Sequence, residues 1–231
     1  MSALIFGATG LCGNEILKTS VASAKFSNIT TVTRRDFDFV SDKLNKIVEA
    51  DPAKYKDIIS SAKASVLFSA LATTRAAAGS AKRFVEIDHD LNLEIAKAAK
   101  EAGVKTFVLV SSVGANSSSP LLYLKTKGRL EDDVIALKFP HTIILRPGPL
   151  LGEREKSKGF LNDLSAGTFK FFHNTFIGNN LFYPIYGSEV GKVAVHLAEE
   201  SLEQSSEEPA EEPKVKVVGG KELITLFKSL K

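Results

Sequence analysis

An α/β fold is predicted, a Rossmann-like doubly wound parallel sheet carrying a small C-terminal substrate cap, and three observations predict it. Short apolar runs alternate with longer helical patterns over the first two-thirds of the 231 residues. Those runs lack the in-out alternation of a strand with one wet face, so they read as strands buried on both sides, the pattern of a parallel sheet wound with helices. The first run leads directly into a glycine loop that opens a helix, the order in which dinucleotide-binding folds begin.

Strands are predicted over 3–6, 29–33, 46–50, 65–69, 106–110 and 142–145, with helices beginning near Leu11, Lys54, Phe84 and Leu121. After Arg146-Pro147-Gly148 the rhythm breaks, and 153–187 is an irregular, glycine-punctuated, aromatic-rich stretch that reads as the substrate cap. A helix is expected over 189–201. The tract 199–213 is rich in glutamate and interrupted by Pro209 and Pro213. It reads as an acidic disordered loop, because like charge and low hydrophobicity leave little to bury. A last strand over 214–218 and a closing helix over 221–230 complete a single domain spanning 1–231.

Composition narrows the function classes. The chain is 44% hydrophobic and 25% charged with a net charge of +3, an ordinary folded composition whose weak charge balance argues against a nucleic-acid partner. A single cysteine, Cys12, excludes an intrachain disulfide and fits a reducing compartment. No apolar run reaches the roughly 18 to 20 residues that cross a bilayer. The strand at 3–6 is expected to leave no room for a cleaved leader.

In the loop Gly7-Ala8-Thr9-Gly10-Leu11-Cys12-Gly13 the glycines have separate tasks: a tight turn, room for backbone amides to approach a pyrophosphate, and close packing of helix on strand. Amides at the helix start then face an anion, with the helix dipole adding to the attraction. Gly7, Ala8, Thr9, Gly10, Leu11 and Gly13 are therefore the expected cofactor cradle. Cys12 reads as a small packed residue, since free cysteine is among the most buried residue types.

An NAD site normally carries an acid about twenty residues beyond the loop, for the ribose 2′-hydroxyl. Here the second strand ends in Arg34-Arg35. A carboxylate would repel a 2′-phosphate, whereas a guanidinium binds one through paired charge-assisted hydrogen bonds, so the expected cofactor is NADPH. The alternative is a solvated basic pair, with Asp36 close enough in sequence to hold either arginine.

Tyr123-Leu124-Lys125-Thr126-Lys127 is a Tyr-x-x-x-Lys motif. On a helix, positions i and i+4 share a face, which sets a phenol beside an ammonium. A unit charge about 4 Å away is worth about 4 kcal/mol at an effective dielectric near 20, enough to make the phenol a usable acid-base group near neutrality. Ser111 and Ser112 follow the 106–110 strand, where open α/β sheets place their ligands. Either hydroxyl can polarise a carbonyl oxygen. The order of these pieces along the chain is a stronger signal than any one of them.

With those residues in view, the chain resembles the atypical short-chain dehydrogenases, and among them the Tat-interacting-protein oxidoreductase-like family. The resemblance is carried by Gly7-Ala8-Thr9-Gly10, Arg34-Arg35, Leu71-Ala72-Thr73-Thr74-Arg75, Val110-Ser111-Ser112, Tyr123 to Lys127, and the stretch from Leu145-Arg146-Pro147-Gly148 through Leu151-Gly152-Glu153-Arg154. It is closest to a fungal branch of peripheral proteins on the cytosolic face of the mitochondrial outer membrane. The resemblance implies that Leu71, Ala72 and Thr73 border the cofactor and that Pro147 and Arg154 lie at its nicotinamide end. Extended enzymes of the superfamily carry an asparagine in the helix before the fifth strand, and Asp88 stands at the matching place. His89 is either a stand-in for that residue or a helix-packing histidine. No metal site is expected at Asp88-His89-Asp90, because neighbours i and i+1 on a helix do not face each other.

The leading expectation is an NADPH-dependent reductase of a carbonyl compound. Tyr123 gives the proton, Lys127 tunes it and orients the ribose, and Ser112 or Ser111 polarises the oxygen. The aromatics of 153–187 favour an apolar small-molecule substrate, or else they form the core of the cap. A second expectation is an NADPH-binding regulatory or interaction protein with little turnover, acting on a protein partner or as a homodimer. Peripheral membrane contact is compatible with both.

Overall fold

The computed structural model describes residues 1–151, 183–207 and 212–230, with the backbone alone for 205–207. In chain order the strands are β1 (Ser2–Phe6), β2 (Asn28–Thr33), β3 (Leu44–Val48), β4 (Val66–Ser69), β5 (Thr106–Val110), β6 (His141–Leu145), β7 (Leu150–Leu151), β8 (Ile185–Tyr186) and β9 (Lys214–Val218). The helices are α1 (Leu11–Ala22), α2 (Tyr55–Ala62), α3 (Arg75–Ala78), α4 (Ala81–Val85), α5 (Leu91–Glu101), α6 (Leu122–Ala136), α7 (Gly187–Glu207) and α8 (Gly220–Ser229). Seven strands form one parallel sheet in the order β3-β2-β1-β4-β5-β6-β9, and β7 and β8 pair separately. This is the expected Rossmann-like fold.

Successive residues of the central strands enter different cores. Ala3 and Ile5 of β1 join a cluster with Ile16 and Leu17 of α1, Val190 and Val193 of α7, and Leu223 and Phe227 of α8. Leu4 and Phe6 join the opposite cluster, with Ile59 of α2, Ile95 and Ala99 of α5, and Leu130 and Val134 of α6. Both faces of the sheet are dry, which is why these strands show no polar alternation.

Three boundaries differ from the sequence expectation. The strand expected over 46–50 is β3, two residues earlier, because an edge strand with mostly exposed side chains has little apolar pattern to fix its register. The helix expected near Phe84 is a series: α3, then α4 with Ser80 capping it through the Arg83 amide, a π turn over Glu86–Asp90, and α5. The helix expected to stop near Ser201 continues to Glu207, so 199–207 of the acidic tract is helical and not a disordered loop. Leu197, Ala198, Ser201 and Leu202 give that stretch a buried stripe, while Lys25 faces Glu199 at 3.7 Å and Glu203 at 2.5 Å.

Most of the expected cap, from residue 153 onward, lies outside the described residues, and so does Arg154. The described end of that stretch is Tyr183 to Gly187, including β8, which lies parallel to β7. No helix among the described residues is long and apolar enough to cross a membrane.

Candidate nucleotide-binding and catalytic site

The chain reverses direction across the sheet between β1 and β4, and the loops at the carboxyl ends of these strands meet there, where open α/β sheets bind ligands. Gly7 has φ +83°, and a Cβ on it would stand 2.6 Å from the Ala70 carbonyl oxygen and 2.9 Å from the Leu71 nitrogen. A side chain there would be strained and would push apart the loops after β1 and β4. A Cβ on Gly13 would stand 2.0 Å from the Gly7 carbonyl oxygen, so the first turn of α1 lies directly on the loop. The Gly10 amide closes the turn onto the Gly7 carbonyl at 2.9 Å.

Gly10 caps α1 without a side-chain hydrogen bond, and no acidic residue lies in the first turn. The amides at this helix start are therefore left for an external anion. Ala8 is buried in the core, Thr9 and Gly10 are exposed, and Leu11 is half-buried at the head of α1. Cys12 is buried among the core residues around Ile16. Of the loop residues expected at the cofactor, Gly7 meets the Ala70–Leu71 backbone, Thr9 and Gly10 face solvent, and Ala8 and Gly13 are buried.

Arg34 and Arg35 directly follow β2 and are exposed, with no ion pair to another described residue. Asp36 is held instead by Lys46 at 2.9 Å and by the Phe37 amide. The lysine contact and the Phe37 amide push its carboxyl below the usual carboxylate range. Arg34 also lies close enough to Tyr55 to oppose the upward pull of burial on that phenol. Two cations at the end of β2 are thus available to a phosphate.

Further along the same edge, Ser111, Ser112, Val113, Tyr123, Pro147, Gly148, Pro149 and Leu150 line an open cleft of about 320 Å³. Tyr123 is 43% exposed at the head of α6, with its ring 6.0 Å from that of Phe84. A Cβ on Gly128 would stand 2.2 Å from the Ser117 nitrogen, so α6 lies in backbone contact with the loop that follows β5. The Val113 amide donates to the Pro147 carbonyl at 2.9 Å, joining that loop to the Arg-Pro-Gly turn.

The two serines differ. Ser111 is buried and its hydroxyl donates to the Glu131 carboxylate, which also takes the Arg146 guanidinium through both oxygens. That carboxylate holds the Arg146 guanidinium above its ordinary range. Ser112 is half-buried and its hydroxyl makes a 3.3 Å bond to the Val113 carbonyl. Ser112 is the hydroxyl available to a ligand in the cleft.

Lys127, one turn after Tyr123, is 2% exposed and lies 2.9 Å from Asp88, itself 0% exposed. Asp88 also accepts the Thr73 amide at 2.7 Å. The carboxylate at the asparagine-like place is therefore the counter-ion of the motif lysine. An asparagine is nevertheless present four residues on. Asn92 is fully buried, accepts the Ser69 hydroxyl at 2.5 Å and donates to the Ile87 carbonyl at 3.0 Å. His89 bridges Asp90 and Asp133 at 2.8 Å each, tying the π turn to α6. Among the described residues no cluster of His, Cys, Asp or Glu could hold a metal ion.

Glu131, Arg146 and Asn92 escape sequence reasoning. Glu131 lies four residues beyond Lys127, and continuing the i+4 row of α6 was the signal that could have found it. Arg146 stands inside the Arg-Pro-Gly segment, where no local pattern points to its partner on α6.

A family model described as HIM1 matches residues 35–180. Protein FMP52-1, mitochondrial, of Scheffersomyces stipitis is 51% identical over 235 residues, with 100% of both chains covered. Protein FMP52, mitochondrial, of Saccharomyces cerevisiae is 47% identical over 234 residues, covering 100% of this chain and 98% of its own. Among solved structures, MoeE5 in complex with UDP-glucose and NAD superposes with a TM-score of 0.68 at 17% identity, covering 100% of this chain and 82% of that one. The UDP-glucose 4-epimerase of Thermotoga maritima gives 0.66 at 15% identity, with 100% and 82% covered. At such identities the likeness to these structures is one of fold.

Proposed function

This chain belongs to the HIM1 family, and we propose that it is an NADPH-dependent reductase of an apolar carbonyl compound, an atypical short-chain dehydrogenase akin to the Tat-interacting-protein oxidoreductase-like proteins. One observation carries the reading. A single edge of the sheet gathers a glycine-lined helix start without a side-chain cap, two arginines free of ion pairs among the described residues, and a cleft rimmed by Tyr123 and Ser112.

These residues fit a phosphorylated dinucleotide. The amides of the Gly7–Gly13 loop would hold its pyrophosphate, and Arg34 and Arg35 its extra phosphate. Leu71, Ala72 and Thr73 would border it, Lys127 would orient its ribose, and Pro147 would lie at its nicotinamide end. When bound, the nicotinamide supplies the hydride. Tyr123 donates its phenolic proton to the carbonyl oxygen as charge develops there, and Ser112 hydrogen-bonds the same oxygen.

The described cleft lining contains no charged side chain, and Leu121 and Leu122 are exposed beside Tyr123. That lining suits an apolar carbonyl better than the UDP-glucose held by the fold neighbours. We further propose peripheral attachment to the cytosolic face of the mitochondrial outer membrane, a reading supported by the mitochondrial names of the relatives and by the resemblance above.

The test is a mass-spectrometric screen for bound nucleotide, followed by NADPH oxidation against a carbonyl panel. Carbonyl-dependent oxidation is expected, falling about 100-fold or more in Tyr123→Phe. Equal rates in the two proteins would remove Tyr123 from the chemistry.

A further inference from the structure

Three lysines stand on the edge of the sheet opposite the nucleotide loops. β4, β5 and β6 run parallel, so the turns that enter them open on one edge, about 15 Å of strand away from the cleft. Lys63, Lys105 and Lys138 occupy those three turns, and all three residues are exposed. The Lys105 amide donates to the Ser65 carbonyl and the His141 amide to the Lys105 carbonyl, so the turns lie side by side. Neighbouring strands are about 5 Å apart, which sets the three turns within about one Debye length of each other.

None of the three lysines has an ion pair to another described residue. Glutamates near that edge are held elsewhere: Glu101 pairs with Lys56, Glu199 and Glu203 with Lys25, and Glu200 lies 3.2 Å from His196. Lys214 follows on β9, but the exposed Glu212 two residues before it offsets that charge. The turns themselves do not ask for lysine. Lys63 and Lys138 sit in the left-handed region, at φ +45° and +54°, where glycine is the easy residue, and the turn before β5 uses Gly103 at φ +78°. The Lys138 carbonyl, just past α6, is already served by the Lys100 ammonium, so the Lys138 side chain is not needed to close that helix. What lysine adds at these places is exposed positive charge.

We propose that this edge is a docking surface for an anionic phospholipid bilayer, with Lys63, Lys105 and Lys138 against the headgroups and the nucleotide loops turned away toward water. The inference rests on the peripheral attachment proposed above and names the surface that makes it. Lysine is a strongly hydrated point charge, suited to a diffuse layer of phosphates more than to paired recognition of one of them. Basic residues at a bilayer surface are attracted to it without entering it. The one aromatic residue of the three turns, Phe139, is fully buried, so nucleic-acid bases find no stacking platform there.

The test is co-sedimentation of the full chain with phosphatidylcholine vesicles carrying about 30% phosphatidylserine, against phosphatidylcholine alone. Binding is expected to the anionic vesicles only, and to be lost at ~0.5 M salt. The triple variant Lys63→Gly, Lys105→Gln, Lys138→Gly should weaken it about 100-fold, about fivefold for each charge removed. Its NADPH affinity should be unchanged and its urea midpoint no lower than that of the wild type, since glycine suits both left-handed places. Arg34→Gln with Arg35→Gln, at the opposite edge, should bind vesicles as the wild type does. If the triple variant does not fold, Lys105→Gln, which lies outside the left-handed places, is still expected to weaken binding about fivefold. Undiminished binding by the folded lysine variant overturns the surface, and so does loss of binding in the arginine variant alone. Tighter retention on single-stranded polynucleotide than on the vesicles would assign the edge to nucleic acid and overturn it too. A wild type that fractionates with mitochondria yet ignores anionic vesicles overturns the lipid surface and leaves peripheral attachment, through a protein, standing.

Discussion

Arg35 shows how one side chain at this site is defined by what fails to hold it. Asp36, the near neighbour that sequence offers as a partner, is taken by Lys46, and both arginines are left facing solvent at the end of β2. Arg35→Ala should therefore weaken NADPH by about 1.5 to 3 kcal/mol, the worth of a hydrogen bond to a charged group, while NADH binding barely changes. Isothermal titration with both nucleotides checks this, and equal losses would assign the arginine to general steering. The two serines were not separable from sequence. Adjacent residues at a strand end point in opposite directions, and only the structure shows that Ser111 is tied to the buried Glu131 carboxylate while Ser112 makes just a 3.3 Å bond to the Val113 carbonyl. Asn92 was not legible in the sequence: it stands four residues beyond Asp88, and only the fold shows both side chains buried, one against Lys127 and the other on the Ser69 hydroxyl.

Among the elements, α6 is the part on which the candidate chemistry depends. Tyr123, Lys127 and Glu131 follow one another at i+4 intervals, so a single rigid rotation of the helix would move all three. Its position is fixed by backbone contact at Gly128, where a methyl group would stand 2.2 Å from the Ser117 nitrogen and 2.3 Å from the Asn116 carbonyl carbon. Gly128→Ala is expected to cost about 1 to 3 kcal/mol by overpacking, read from the urea midpoint, and to lower kcat with little change in NADPH affinity. A variant with wild-type midpoint and turnover would show that α6 has slack against this loop. At α7 the lesson is opposite. The glutamates of 199–207 read as solvated chain, yet Leu202 is buried and the buried Ser201 hydroxyl is bonded to that of Thr106 on β5, so one apolar and one hydrogen-bonded anchor outweigh a run of like charge.

At the scale of the whole molecule, the parallel sheet and its reversal between β1 and β4 bring together loops separated by more than a hundred residues, from Gly7 to Leu150. None of the described helices could cross a bilayer, and the proposed attachment is peripheral. Cell fractionation should therefore find the chain on mitochondria, released by alkaline carbonate and digested by protease added to intact organelles. A carbonate-resistant or protease-protected chain would contradict that placement.

The sequence by itself determined the parallel sheet, the glycine loop, the basic end of β2 and the Tyr-x-x-x-Lys row, because each is a local pattern: period, turn chemistry and charge are properties of neighbouring residues. Tertiary structure alone decided that Lys127 is paired with Asp88, that Ser111 and Arg146 both meet Glu131, and that Asp36 turns to Lys46 and not to Arg34 or Arg35. Those outcomes are set by distances between residues far apart in the chain, where a few ångströms in a dry interior decide which opposite charge a group meets.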